Sequence, residues 1–523
     1  MNQLNVDIAV IGASLGGVLA AWRACQSSTL RVALVAQYDW LGGQMTSQGV
    51  PPDEHHLIES GGASQSYLAF RQAIRDHYLA DNNFIDHTEM TEGVNPGDGW
   101  VSRLCFEPKL AAAYFENMLS PFIVIGQLQI LRHHLIASAT RDARFITNVV
   151  VSDQQGVQTT ITARYFCDAT DTGDLLKHAK LPYRLGKESR QAFNEPDAPI
   201  EANALDQQPV TFVMAVKQSS EPQPLTPPPN YAMWQDYIVP HYGFKQLSFS
   251  MPGEGLGESV SLPLFGDGHT LDWWRYRRIV SQRNWRTTTS DVSLINWAQN
   301  DYAIQPLLDG EVSEAEVVRG AKQLSACLLY WLQHAAPHPD GVDKGYPNLT
   351  LDHEALGTAD GFAQQVYVRE SRRMIGIATL TQSDIIDTDN THQPFHHPHS
   401  VGVAWYNMDI HPTCVSGHGV NAKVRPFTLP LGVFVSRDCD NLIPACKNIS
   451  VTHLVNAATR VHPIEWLIGE VAALLAIYAI ANNVSLINLA KSGEHVRAFQ
   501  LALGVAGIPI HWDDALIKKL QRN

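Results

Sequence analysis

Val6-Asp7-Ile8-Ala9-Val10-Ile11-Gly12-Ala13-Ser14-Leu15-Gly16-Gly17 decides the fold. The first six residues form a short β-rich apolar run, and Val18 to Cys25 reads as a helix. Between them lies a tight glycine turn. The G-x-G-x-x-G spacing falls on Gly12, Ser14 and Gly17, where glycines permit the turn and the helix N-terminus, with Leu15 and Gly16, can receive a pyrophosphate. Ser14 stands in place of the central glycine, which crowds the backbone approach but offers a hydroxyl. A second strand, Arg31 to Ala36, follows at βαβ spacing. Its end normally carries an acidic residue for the adenosine ribose, and here reads Ala36-Gln37. Gln37 or Asp39 is left to take that role.

Asp39-Trp40-Leu41-Gly42-Gly43-Gln44-Met45-Thr46-Ser47-Gln48-Gly49 comes next. Paired glycines let main-chain amides approach a planar ligand, and small hydroxyl side chains supply donors. The segment resembles the "LGG…T…G" stretch of glutathione-reductase-type flavoproteins, so Leu41, Gly42, Gly43, Gln44 and Thr46 are assigned to cofactor binding. Leu128 to Ala139 and Val149 to Phe166 read as strands separated by a turn at 153–156. They lead into Cys167-Asp168-Ala169-Thr170-Asp171-Thr172-Gly173-Asp174, which resembles the "DATG(D)" element that returns the chain to the nucleotide domain. Asp168, Ala169, Thr170, Asp171 and Gly173 join the cofactor set on that ground. Near the carboxyl end, Asp440 to Cys446, Ser450, His453, Arg460 and Val461 to Ala473 look like the last FAD-binding element, with Gly469-Glu470-Val471-Ala472-Ala473 matching "G(E/Q)AAG" except for its final glycine. A helix N-terminus there would stabilise negative charge on the flavin pyrimidine. Arg460, Gly469 and Glu470 complete the cofactor residues.

Together with 95–108 and the "R-E-S-R-R" run at 369–373, these segments resemble bacterial FAD-dependent oxidoreductases of diverse substrate. The resemblance implies FAD and an α/β fold with an α+β cap: a Rossmann-like βαβ domain, discontinuous in sequence, beside a substrate domain. Residues 1–50, 125–180 and 425–523 are expected to form the FAD domain, 51–124 a helical and loop insertion near the flavin, and 185–424 the cap. Pro222 to Pro229 reads as an extended surface loop.

Composition sets the other limits. The 523 residues are 45% hydrophobic and 17% charged, enough for sizeable cores and two to four domains by a rough length prior. A formal charge of −14 and a pI near 5.8 leave no basic field for nucleic acid or an anionic membrane. Trp466 to Ile480 is about three-quarters of a membrane span and contains Glu470, so it reads as a buried helix. Seven scattered cysteines without a Cys-x-x-Cys pair, and an amino terminus without the marks of a secretory signal, fit a cytoplasmic protein. A small-molecule substrate is the expected partner; a homo-oligomer is compatible but unmarked.

For chemistry, Gly253-Glu254-Gly255-Leu256-Gly257 follows no strand, so no nicotinamide site is assigned. Arg372 and Arg373 are candidates to hold a substrate carboxylate, against the alternative of structural ion pairs. Arg369 reads as the structural one of the three. Four histidines, His392, His396, His397 and His399, lack the spacing of a metal site, and no metal is assigned. His411 and His453 are candidate bases for a proton leaving an alcohol or amine. The sequence thus predicts an FAD-dependent oxidase or dehydrogenase of a small polar metabolite, with oxygen or another acceptor reoxidising the flavin. The alternatives are a monooxygenase fed by a partner reductase and a non-catalytic FAD-binding subunit.

Overall fold

An apolar strand buried on both faces belongs inside a parallel sheet, and Ile8–Ile11, all four residues buried, lies there. The computed structural model describes residues 2–85, 93–253, 257–287, 289–388 and 392–520. Its nucleotide side comprises β1 (Ile8–Ile11), α1 (Leu15–Gln26), β2 (Val32–Ala36), β3 (Leu128–Arg132), β4 (Tyr165–Asp168), β5 (Leu442–Pro444) and α2 (His462–Asn482). The five strands are parallel in the order β5-β4-β1-β2-β3. Strand order reverses between β1 and β4, and the crevice beyond their carboxyl ends is where α/β sheets bind ligands. Gly12 sits at that point with φ +103°, and a Cβ there would lie 2.4 Å from the carbonyl oxygen of Ala169. No other residue can occupy it without moving β4.

The two helices on this sheet cross at their backbones. A Cβ on Gly469 would meet Gly16 O at 2.1 Å, so the glycine expected to serve the cofactor is used to seat α2 against α1. Glu470 beside it forms a buried ion pair with Arg23 and accepts a hydrogen bond from Ser66 Oγ at 2.9 Å. By length and composition α2 could cross a membrane, yet 78% of that stretch is buried inside the protein. It is apolar all round because it is surrounded.

A second sheet joins Asn2–Asn5 to the meander Leu135–Asp142, Phe145–Ser152 and Gln158–Thr162. The third body has its own core. There Arg278–Val280, Val292–Ile295, Met214–Gln218 and Leu349–Leu351 form an antiparallel sheet against the helix Glu314–His334, whose start is fixed by a Ser313–Glu316 capping box. Trp273 and Trp297 stack inside it, centroids 5.2 Å apart.

Residues 185–424 do not pack as one body. Ser400–Ala404 pairs with Phe427–Pro430 and buries Val401 and Val403 in the core that contains α2. Gly402 makes this approach feasible, since a Cβ there would lie 2.3 Å from Leu467 Cδ2. The helix Gln65–Leu79 also packs into that core, through Tyr67, Phe70 and Ile74. Of the glycine-rich stretch at 253–257, residues 254–256 lie outside the described residues.

Candidate active site

At the N-terminus of α1, Ser14 accepts the Gly17 N–H at 3.3 Å and so caps the helix. The Gly16 N–H, one of the donors a pyrophosphate would use, points instead at Glu465 Oε1, 3.2 Å away. Glu465 lies in the first turn of α2 and is completely buried. Its second oxygen accepts Gln44 Nε2 at 2.6 Å, the Cys446 thiol donates to the first at 3.2 Å, and the Lys447 ammonium stands 3.6 Å off. Lys447 in turn pairs with Asp171 at 2.5 Å. Asp171, Cys446 and Glu465 are close enough to share an ion, but Lys447 already supplies the positive charge among them.

The loop after β2 closes over this point. The Gly42 N–H donates to Ala13 O at 3.0 Å, and a Cβ on Gly43 would lie 2.9 Å from Ser14 Cα. Leu41 is in the core, its carbonyl accepting from Thr46 Oγ1 at 2.7 Å. Gln44 also reaches the Arg460 carbonyl at 3.0 Å. Gln37 is exposed, and Asp39 pairs with His133 at 3.1 Å. Asp168 is fully buried, accepts from Thr170 N and Oγ1, and keeps Oδ2 unpartnered; burial pushes its carboxyl up to about 7. The Gly173 backbone has φ +68° and packs under Arg372.

A separate cavity of about 540 Å³ opens between the nucleotide side and the third body. Its wall includes Asp53, Tyr276, Arg277, Asn296, Tyr367, Arg369, Tyr406, Asp409, His411 and Arg460. None of 12–17, 42–46 or 168–173 belongs to that wall, nor do Lys447 and Glu465. Arg460, at the end of the helix His453–Thr459, donates to Tyr367 Oη at 2.5 Å and to Asp409 O at 3.1 Å. Arg369 pairs with Asp301 at 3.0 Å, and Arg277 donates to Asn296 O at 2.5 Å. All three guanidiniums keep a buried Nε–H without an acceptor.

His411 bridges two acids: Nδ1 lies 2.5 Å from Asp301 and Nε2 3.4 Å from Asp409. Burial and Arg369 oppose its charge, but the two carboxylates outweigh them and raise its pKa. Burial raises the Asp409 and Asp301 carboxyls, yet the cations beside them win and hold both below the ordinary range. Asp53 behaves oppositely. Burial raises its pKa against the pull of Arg277, Arg460 and Arg369. His462 fixes its backbone, accepting the Asp53 N–H on Nδ1 at 3.0 Å while Nε2 reaches Val50 O at 3.1 Å; burial lowers this imidazole to about 3. Glu54, also on the wall, is occupied by Arg71, Tyr67 and Ser102. The wall therefore holds three guanidiniums and a charge-favouring imidazole against the ionised Asp409, while Asp301 pairs with Arg369 and His411 from off the wall and Glu54 is paired with Arg71.

Among the candidate catalytic and anchoring residues, five assignments change. Arg372 is fully buried and spent on Asp174 at 2.8 Å, Asp309 at 2.9 Å and Glu314 at 3.3 Å, away from the cavity wall. Arg373 is spent on Glu370 at 2.7 Å and Glu188 at 2.9 Å. Glu188 also holds His453 Nδ1 at 2.8 Å, so His453 belongs to that internal network and does not line the cavity. Arg369 is the arginine of the run that does line it. His411 reaches the cavity, but an imidazole biased towards imidazolium has no free lone pair with which to take a proton. Asp53, Arg277 and Asn296 escaped sequence reading. They lie in segments without a motif, and only the fold assembles them. His392 pairs with Asp387 at 2.9 Å, and His396 packs on His511.

Residues 7–503 match the sequence profile of the FAD dependent oxidoreductases. A search of the curated proteins finds none similar to this chain. Among solved structures, a mutant of the E. coli quinol fumarate reductase FrdA is 12% identical over 97% of this chain and 74% of that one, with a TM-score of 0.35. A geranylgeranyl bacteriochlorophyll reductase-like protein of Thermoplasma acidophilum is 10% identical over 100% and 93%, with a TM-score of 0.34. L-proline dehydrogenase from P. horikoshii is 16% identical over 32% of this chain, which spans only 23% of that protein, with a TM-score of 0.19.

The residues present fit FAD in frame and at one end. Strand, positive-φ glycine and helix N-terminus are in place, and Gln48 is fully buried with both amide atoms unpartnered, as suits the mixed carbonyl and N–H edge of a flavin. At the phosphate end they fit only when the Glu465 carboxylate gives up the Gly16 N–H.

Proposed function

The chain belongs to the FAD dependent oxidoreductase family and uses FAD, and from that premise we propose that it dehydrogenates a small polar metabolite, a hydroxy acid or amino acid, bound in the 540 Å³ cavity. The observation that carries the reading is the charge of the wall. Arg277, Arg369, Arg460 and His411 outnumber the ionised Asp409 on the wall even when Asp301, paired with Arg369 and His411 from off the wall, is added and Glu54 is set against Arg71, and a buried excess of positive charge selects an anion. A carboxylate is the match of the right size, because planar guanidiniums donate to its two oxygens together.

Bound FAD supplies a two-electron acceptor. Dehydrogenation removes a hydride from carbon and a proton from the adjoining hydroxyl or amine. Asp53 receives that proton: it lies on the cavity wall, and burial raises its affinity for one. His462 holds Asp53 by its backbone, and Tyr276 and Tyr406 flank it in the wall. His411, charged between its two acids, keeps the substrate anion in place. With FAD bound, oxygen or another acceptor would take up the two electrons. The kinship with glutathione-reductase-type flavoproteins is part of this proposal.

The test is anaerobic bleaching of the FAD-loaded protein by a panel of 2-hydroxy and 2-amino acids, each paired with its amide. At least one acid is expected to bleach the flavin while its amide does not. Equal bleaching by acid and amide contradicts the anion site.

A further inference from the structure

We propose that Glu465 is a built-in competitor for the FAD pyrophosphate, an internal anion that fills the phosphate receptor and must be displaced for the cofactor to load. The inference rests on FAD as the cofactor and is independent of the chemistry assigned to the cavity.

A helix N-terminus draws anions because its first N–H groups lack partners and its dipole is positive there. The twelve-residue α1 begins at the glycine turn, where a dinucleotide places its pyrophosphate. In this chain that position is already served by a carboxylate. Glu465 accepts the Gly16 N–H, takes Gln44 Nε2 on its other oxygen, and lies in the first turn of α2, so the N-termini of two helices converge on one charge. It is wholly buried, and neighbouring Lys447 balances it while pairing with Asp171. The Gly16 and Gly17 N–H groups, two donors a diphosphate would need, thus have internal partners in Glu465 and Ser14. The Gly42–Ala13 hydrogen bond closes the loop over the same point, and the open cavity stops short of it.

A pyrophosphate and the Glu465 carboxylate cannot share the Gly16 N–H, and both are negative. FAD binding therefore includes the work of moving a satisfied, buried carboxylate, which makes the flavin a readily dissociable ligand. Glu465 thereby sets how much of the protein carries FAD at a given FAD concentration.

The experiment is FAD binding by the full chain, followed by calorimetry or flavin fluorescence, for the parent, Glu465→Gln and Glu465→Asp. Glutamine keeps the size and removes the charge; aspartate keeps the charge and withdraws it from Gly16. Glu465→Gln is expected to bind FAD at least about 10-fold more tightly than the parent, because a like charge beside the pyrophosphate is removed. Glu465→Asp should fall between the two. Equal or weaker binding by Glu465→Gln, including no binding by any of the three, overturns the proposal. Melting temperatures identify a variant that has lost its fold; should the glutamine variant be such a case, Glu465→Asp decides on the same terms, tighter than the parent in support and equal or weaker against.

Discussion

Two regions of the protein, the glycine fingerprint and the cavity, differ in how their charges are settled. At the fingerprint end, Gly16, Gln44, Cys446, Lys447, Asp171 and Glu465 satisfy one another completely inside the protein. At the cavity end, three guanidiniums and a raised imidazole stand around the ionised Asp409 and one carboxyl, Asp53, whose proton affinity burial raises. The first arrangement resists a ligand and the second invites one. Motif and ligand demand are therefore different properties, and here they meet within five residues of sequence, at Arg460 and at Glu465 in the first turn of α2.

The comparison breaks most easily at Asp53. Asp53→Asn, with FAD bound, should slow flavin reduction by roughly 10²–10⁴-fold, the usual worth of a general base. Stopped-flow reduction at saturating substrate reads this directly. An unchanged rate would make the cavity a binding site without a base.

Next in size are the guanidiniums. Arg460→Met or Arg277→Met should raise KM for an anionic substrate by roughly 10- to 100-fold, as expected for a lost hydrogen bond to a charge, with a smaller change in kcat. Arg372→Met should lower melting temperature and leave KM nearly as it was, since Arg372 ties the nucleotide side to Asp309 and Glu314. A KM effect at Arg372 equal to that at Arg460 would reverse the assignment.

The pH profile sharpens the same contrast. Asp53 must be ionised to accept a proton, so kcat/KM should rise with pH along a limb lying above the ordinary carboxylate range. His411 must be charged to hold the anion, so activity should fall again above its raised pKa. His411→Ala should remove the alkaline limb and leave the acid limb.

The smallest effect is on stability. Asp168 is raised from 3.8 to about 7 by burial, so the folded state holds a proton that the unfolded state has released. Stability from this group is full below about pH 4 and declines as pH rises to about 7. Melting temperature of Asp168→Asn across pH 4–8 should lack that decline relative to the parent.

Much of the nucleotide side is legible in the sequence for physical reasons. A fully buried parallel strand needs an unbroken apolar run, as at Ile8–Ile11 and Val32–Ala36, and Gly12 is dictated by a 2.4 Å approach. Boundaries shift little: the helix read from Val18 begins at Leu15 once Ser14 is seen to cap it. The cavity is less legible. Its residues come from separate segments around 53, 277, 296, 369, 409–411 and 460, and no local pattern marks 53, 277 or 296. The arginine run misleads because partners decide an arginine's role, and those of Arg372 lie 63 and 198 residues away. Glu465 reads as an ordinary first-turn acid until the fold carries it to Gly16, 449 residues distant.

The most direct test of the contrast is a crystal structure of the FAD-loaded protein. The account predicts that Glu465 Oε1 leaves the Gly16 N–H and a phosphate oxygen takes its place, while Arg277, Arg369, Arg460 and Asp53 keep their present positions around the cavity. FAD bound with the Glu465–Gly16 hydrogen bond intact would contradict it.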